Sequence, residues 1–162
     1  VNPAVSRLAR ARLLALVLPA ALLAGALGSQ YLGGLYPCEM CHWQRWPHYA
    51  ALALALAAIA LRRSALSRPL VILAGLAIFV SGAIGVFHAG VEYGWWEGLT
   101  RCAASGPGGS ASDIFAEIMA TPMIRCDEVQ WSLFGISLAG WNAIFSIGGG
   151  SAILALCLKP AR

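Results

Sequence analysis

Four stretches of the chain are almost wholly apolar, and the polar residues gather between them. Residues 13–29, 70–87 and 132–158 carry no charge at all. A fourth stretch, residues 47–61, is shorter, but a helix starting near His42 would reach roughly 30 Å at about 1.5 Å per residue, with Arg45 in its first turn. About 20 apolar residues cross the hydrocarbon core of a bilayer. The pattern therefore predicts an all-α integral membrane protein. Its architecture is a four-helix transmembrane bundle with spans at about 13–29, 43–61, 70–87 and 132–158, forming one domain over 1–162. Pro69 just precedes the third span, where a missing N–H costs little. Gly148, Gly149 and Gly150 interrupt the fourth, as a span tolerates where helices pack closely.

Two loops remain, at about 30–42 and 88–131. Within the second, residues 105–112 are rich in Gly, Ser and Pro and read as a linker. Ile114, Phe115, Ile118 and Met119 then fall on one face of a short amphipathic helix over 113–120. Such a helix lies either on the membrane surface or against the bundle.

Composition agrees with the pattern: 59% of the 162 residues are hydrophobic and 11% are charged, against about 25% charged in a typical soluble domain. The net charge of +4 reads as topology. Arg7, Arg10, Arg12, Arg62, Arg63, Arg68, Lys159 and Arg162 fall on one side of the four spans, and only Arg45, Arg101 and Arg125 on the other. By the positive-inside rule both termini are cytoplasmic and both loops face outward. A secretory signal is the competing reading of the first span, with Arg7–Arg12 as its basic region and Ala24-Gly25-Ala26 as a cleavage site; the retained helix is preferred. Trp43, Trp46, Tyr49, Tyr93, Trp95 and Trp96 fit an interfacial aromatic belt.

The five cysteines divide into Cys38 and Cys41, spaced C-x-x-C, then Cys102 and Cys126 in the second loop, and Cys157 alone at the inner end of the last span. A C-x-x-C at a helix start is a redox motif, because the helix dipole favours the reactive thiolate. Arg45, four residues beyond Cys41, adds a positive charge on the same face. His42 completes a C-x-x-C-H haem-attachment pattern, but that reading leaves Cys102 and Cys126 without a role. A zinc site would need a second close pair, and 23 residues separate Cys102 from Cys126. Cys102 and Cys126 taken alone would be a structural disulfide; beside an outward C-x-x-C they permit thiol–disulfide exchange between pairs. Cys157 reads as an apolar filler. His88, at the outer end of the third span, is read on its own as an interfacial residue. No metal ligand set, nucleotide fingerprint or nucleic-acid partner is expected.

The Cys38-x-x-Cys41-x-x-x-Arg45 motif, the later Cys102 and Cys126 pair, and the stretch His88-Ala-Gly-Val-Glu92-Tyr-Gly-Trp-Trp96 together resemble the disulfide bond formation protein B family, DsbB, over residues 13–158. The resemblance implies a thiol:quinone oxidoreductase in the bacterial inner membrane. Such a protein reoxidises a DsbA-like periplasmic thiol oxidase and passes the electrons to ubiquinone or menaquinone from the membrane pool. It also implies roles. Cys102 would be the sulfur attacked by the partner and Cys126 its mate, Cys38 the sulfur exchanging with that pair, Cys41 the sulfur beside the quinone, and Arg45 and His88 quinone-site residues. Two features depart from the pattern: Glu39 puts a negative charge between the active cysteines, and Gln44 stands where some members carry an acid. A vitamin K epoxide reductase-like enzyme is the nearest alternative, but there the C-x-x-C follows the loop pair in the chain. A c-type haem carrier subunit is the alternative from another class.

Overall fold

The computed structural model describes residues 3–99 and 124–158, with side chains from residue 6 onward. Helix α1 spans Pro3–Tyr31, α2 Glu39–Ala60, α3 Ser67–Glu92, and α4 Leu138–Leu158, the last preceded by two short strands, β1 Ser132–Leu133 and β2 Ile136–Ser137. Helices α1, α3 and α4 are each long and apolar enough to cross a membrane. Helix α2 is 22 residues long but buries Gln44, Arg45 and His48. The expected short helix over 113–120, the 105–112 linker and Cys102 lie outside the described residues.

Four boundaries differ from the sequence expectation, most of them for a local reason. Helix α2 starts at Glu39 rather than near His42, because Cys38 caps it with a sulfur that accepts the Cys41 backbone N–H at 3.3 Å. Glu39 then sits in the first turn, where the helix dipole favours negative charge. Helix α3 starts at Ser67, two residues before Pro69, and still tolerates the proline because the first four N–H groups of a helix have no intrahelical acceptor. It also runs on to Glu92, so His88 lies inside the helix rather than at its end. Helix α4 starts at Leu138 because residues 132–137 form a hairpin, with Ser132 opposite Ser137 and Leu133 opposite Ile136. Phe134 and Gly135 make its two-residue turn with φ of 53° and 77°, the positive-φ pair that a type I′ turn requires.

The helices alternate in direction and pack in the cyclic order α1, α2, α3, α4, with α4 closing back onto α1. The α3–α4 contact is a close approach of small residues. A Cβ added at Gly82 would lie 2.8 Å from the Ile147 backbone nitrogen, and one at Gly150 would lie 3.0 Å from the Gly75 carbonyl oxygen. Of the three consecutive glycines, Gly149 and Gly150 meet neighbours in this way and Gly148 meets nothing.

One end of the bundle is tied by basic residues. Arg12 donates to Ser67 Oγ at 2.8 Å and to the Arg62 carbonyl at 3.2 Å, and Arg68 donates to the Cys157 carbonyl at 2.7 Å. Above them lies a core of small residues, with Ala11, Ala15, Ala51, Ala55 and Ala58 packed against Val71, Ala74, Ile78 and Ile153. Cys157 is buried in the same cluster, as an apolar filler would be. The opposite end holds the α1–α2 turn, the end of α3 and the hairpin. The hairpin is fastened there by Tyr93, whose hydroxyl accepts the Ser137 N–H at 2.8 Å and donates to the Gly135 carbonyl at 3.1 Å. Trp46 and Trp95 are the most exposed of the expected belt aromatics.

Candidate active site

Cys38 precedes α2 and is buried; Cys41 lies one turn along and is half-buried. Their sulfurs are 3.0 Å apart, well beyond the roughly 2.05 Å of a disulfide bond, so both are thiols. The segment after residue 123 returns to this point: Ile124 and Cys126 pack on the cluster of Cys38, Met40 and Val91. A hydrogen bond with Cys126 first, then one with Cys41, then burial, hold the Cys38 thiol far above the ordinary cysteine range. Cys38 thus stays protonated here and donates to the Cys41 sulfur.

Arg45 lies four residues beyond Cys41 and is 9% exposed. Its guanidinium donates to Gln30 Oε1 at 2.5 Å and to the Ala26 carbonyl at 3.1 Å, both on α1. Among the described residues no carboxylate pairs with it. A buried guanidinium held only by neutral acceptors is a positive charge awaiting a negative partner.

His88 is 2% exposed, its ring turned into the bundle. Nδ1 meets Gln44 Nε2 at 2.7 Å, and Nε2 faces Cys38 Sγ at 3.5 Å and Glu92 Oε1 at 3.8 Å. Glu92 is one turn further along α3, and its other oxygen accepts a hydrogen bond from Ser137 Oγ. Ser137 in turn accepts the Gly140 N–H at 3.1 Å, capping α4. The hairpin therefore sets both the start of α4 and the position of the Glu92 carboxylate.

Of the residues expected from sequence, Cys38, Cys41, Arg45 and His88 line one cleft, and Cys126 packs beside Cys38. Cys102 lies outside the described residues. Sequence reasoning missed Glu92, Gln30 and the packing role of Gln44. The i, i+4 spacing of His88 and Glu92 was the available signal for the first; nothing in the sequence announces Gln30. His42, the histidine of the C-x-x-C-H pattern, is exposed. The histidine that faces the cysteines is His88, 50 residues away in the chain.

Cys38, Cys41 and His88 offer three metal-ligand atoms within 4.8 Å of one another. A metal would require the lone pair of His88 Nε2.

Cysteines packed together from separate segments, beside a buried arginine in a largely apolar chain, point to membrane thiol chemistry. The model of the family "Disulfide bond formation protein DsbB" matches residues 8–157. The chain belongs to the DsbB family. Proteins named disulfide bond formation protein B are similar to it over most of their length. That of Verminephrobacter eiseniae (strain EF01-2) is 34% identical, covering 93% of this chain and 88% of the relative. That of Polaromonas sp. (strain JS666) is 31% identical over 93% of this chain and 92% of the relative. That of Methylococcus capsulatus is 31% identical over 86% and 87%. No solved structure matches the chain. As a DsbB-family member it is a multi-pass membrane protein and a disulfide-forming oxidoreductase.

Proposed function

We propose that this protein is a protein-dithiol:quinone oxidoreductase of the inner membrane, reoxidising a DsbA-like periplasmic partner at the expense of membrane ubiquinone or menaquinone. The observation that carries the reading is the packing of Cys126 against Cys38, two sulfurs 88 positions apart in the chain. That contact is the geometry exchange between two cysteine pairs requires. All four helices cross the membrane in this reading, both termini are cytoplasmic, and residues 1–162 act as one unit. The basic residues tied at the end of the bundle opposite the cysteines support that orientation.

The partner's thiolate attacks Cys102 of a Cys102–Cys126 disulfide, and Cys126 leaves as thiolate. The partner's second thiol then resolves the mixed disulfide, so the partner leaves oxidised and the loop pair is reduced. The reduced loop pair then exchanges with a Cys38–Cys41 disulfide through Cys38, and leaves Cys38 and Cys41 as the dithiol described here. Two electrons and two protons are now held at Cys38 and Cys41.

The residues present fit a quinone, on the strength of Arg45: its buried guanidinium has no carboxylate partner among the described residues and lines the same cleft as Cys41. A bound quinone takes up two electrons and two protons, which is what the dithiol releases. Arg45 would hold an electron-rich oxygen there and stabilise charge that develops on it. His88 and Glu92 would line the same space.

Stopped-flow oxidation of a reduced thioredoxin-fold partner by the purified protein tests the reading. Without quinone, oxidation should stop at the disulfides already present in the protein; with ubiquinone or menaquinone it should turn over. Failure to oxidise the partner in either arm overturns the function. For the orientation, a membrane-impermeant thiol reagent should reach Cys126 in reduced spheroplasts, and Cys38 once its local burial is relieved, and should miss the thiol in a Ser64→Cys variant.

A further inference from the structure

Behind the cysteines, α2, α3 and α4 share a buried polar chain of which the proposed reaction uses only the His88 end. His48, Gln44 and His88 are 3%, 6% and 2% exposed, and Asn142 sits between them on α4. The two amides can be oriented without ambiguity, because each touches a backbone carbonyl, which only accepts. Gln44 Nε2 reaches the Met40 carbonyl at 3.2 Å, and Asn142 Nδ2 reaches the Ser81 carbonyl at 3.3 Å. The nitrogen side of each amide is thereby fixed.

Every other contact then falls into place. Asn142 Oδ1 accepts from Ser146 Oγ at 2.9 Å and from His48 Nε2 at 3.0 Å, and the His48 N–H is shared with Ser81 Oγ at 2.9 Å, whose own proton goes to the Gln44 carbonyl. Asn142 Nδ2 donates to Gln44 Oε1 at 2.8 Å. The remaining Gln44 N–H points at His88 Nδ1, 2.7 Å away. That nitrogen must accept, so the single proton of a neutral imidazole sits on Nε2, which faces Cys38 Sγ at 3.5 Å and shares its N–H with the Cys126 backbone carbonyl. At the far end His48 donates through Nε2, which leaves Nδ1 as a lone pair; Nδ1 is the buried side-chain atom without a hydrogen-bond partner among the described residues.

We infer that this one-directional chain, running from His48 through Asn142 and Gln44 to His88, fixes His88 as an N–H donor to the Cys38 sulfur and makes Gln44 and Asn142 positioning residues of the cysteine site. Each link polarises the next in the same sense. His88 so held cannot take the Cys38 proton. Instead it stabilises negative charge on Cys38 whenever that sulfur attacks or leaves. Gln44 is the residue that decides this. A carboxylate in its place would accept from Nδ1 and place a proton there. The consequence for exchange rests on the reading of Cys38 as a redox sulfur, whereas the tautomer does not.

The test separates the two. The full chain, labelled with nitrogen-15 histidine and reduced in detergent, has only three histidines to resolve: His42, His48 and His88. Substituting His42 and His48 by Gln in turn assigns the third. His88 should show an unprotonated Nδ1 and a protonated Nε2. Gln44→Glu should move the Nδ1 resonance to the protonated range, and Gln44→Met, which offers neither donor nor acceptor, should remove the preference for one tautomer. In parallel, oxidation of Cys38 by a small disulfide should slow about tenfold or more in Gln44→Met, the worth of one hydrogen bond to a charged group. A wild-type His88 protonated at Nδ1 overturns the relay, as does an Nδ1 still unprotonated in Gln44→Glu. The expected tautomers with an unchanged Cys38 rate would keep the relay and overturn its role at the sulfur. Because the wild-type spectrum decides the first point, a variant that fails to fold does not shelter the proposal.

Discussion

Around Ala11, Ala15, Ala51, Ala55, Ala58, Val71 and Ile153 the bundle is filled with small apolar side chains, and among the described residues the sulfur there is that of Cys157. Toward Cys38 the same helices bury Gln44, Arg45, His48, Ser81 and His88. The apolar half needs only volume and close approach. In the polar half each group requires a partner of the right sense, since an unmet polar group in a water-poor interior costs several times what a hydrogen bond contributes. Polar residues buried among the helices of a membrane protein are therefore a signal of function, and here they converge on one pair of sulfurs.

The largest effect should come from comparing a thiol in each half. Cys41→Ser should abolish quinone-dependent turnover, because the dithiol cannot form. Cys157→Ser should leave the rate unchanged, its sulfur being packed in the apolar cluster and far from the cleft. The check is steady-state oxidation of a reduced partner with quinone in excess. Loss of turnover in Cys157→Ser would end the division of the molecule into a packing half and a chemical half.

The next effect concerns the seam between α3 and α4. Gly82→Ala puts a Cβ 2.7 Å from Ile147 Cγ1 and 2.8 Å from the Ile147 backbone nitrogen, and a backbone cannot yield as a side-chain tip can. Overpacking of this kind costs about 1–3 kcal/mol. Gly148→Ala meets nothing within 4 Å and should be neutral or slightly stabilising, since alanine is the better helix former. Thermal unfolding of the two variants in one detergent measures the contrast.

The apolar half was the more legible of the two in the sequence. Uninterrupted runs such as residues 70–87 announce a helix whatever their neighbours do, and the C-x-x-C and Arg45 carry their own spacing. The ends were misplaced where side chains, rather than hydropathy, set them. A cysteine sulfur caps α2 three residues early, and a hairpin held by Tyr93 delays α4. In the polar half, the burial of His88 and its link to Gln44 depend on which faces of α2 and α3 meet, and no local pattern encodes that. The Gln30–Arg45 bond is of the same kind, joining α1 to α2 across a turn.

Arg45 sharpens the comparison from the charged side. Arg45→Met should raise the quinone KM or lower kcat while leaving single-turnover exchange with the partner intact, and Arg45→Lys should restore only part, since an ammonium lacks the planar fork. Arg12, at the opposite end, also makes hydrogen bonds with its guanidinium, yet Arg12→Met should leave both kinetic constants unchanged. Separate measurement of exchange without quinone and turnover with it distinguishes the steps. Equal losses in the two variants would reduce Arg45 to an anchor.

The smallest effect belongs to the one charge inside the motif itself. Glu39 lies between Cys38 and Cys41 in the chain, and proximity in sequence suggests that it opposes a thiolate on either sulfur. Its side chain, however, is exposed at the start of α2, where water and salt screen it and the helix dipole already favours it. Arg45 is outside the motif but buried. Burial, rather than sequence position, should decide which charge matters. Glu39→Gln should therefore change the rate of exchange between Cys38 and the loop pair by less than about twofold at 0.15 M salt, with a slightly larger change as salt is lowered, because exposed charges lose their reach beyond roughly one Debye length. Rapid-quench thiol trapping at two ionic strengths measures it. A large, salt-independent effect would mean that Glu39 turns inward during exchange, and the boundary between solvated and buried charge would have to be redrawn around Cys41.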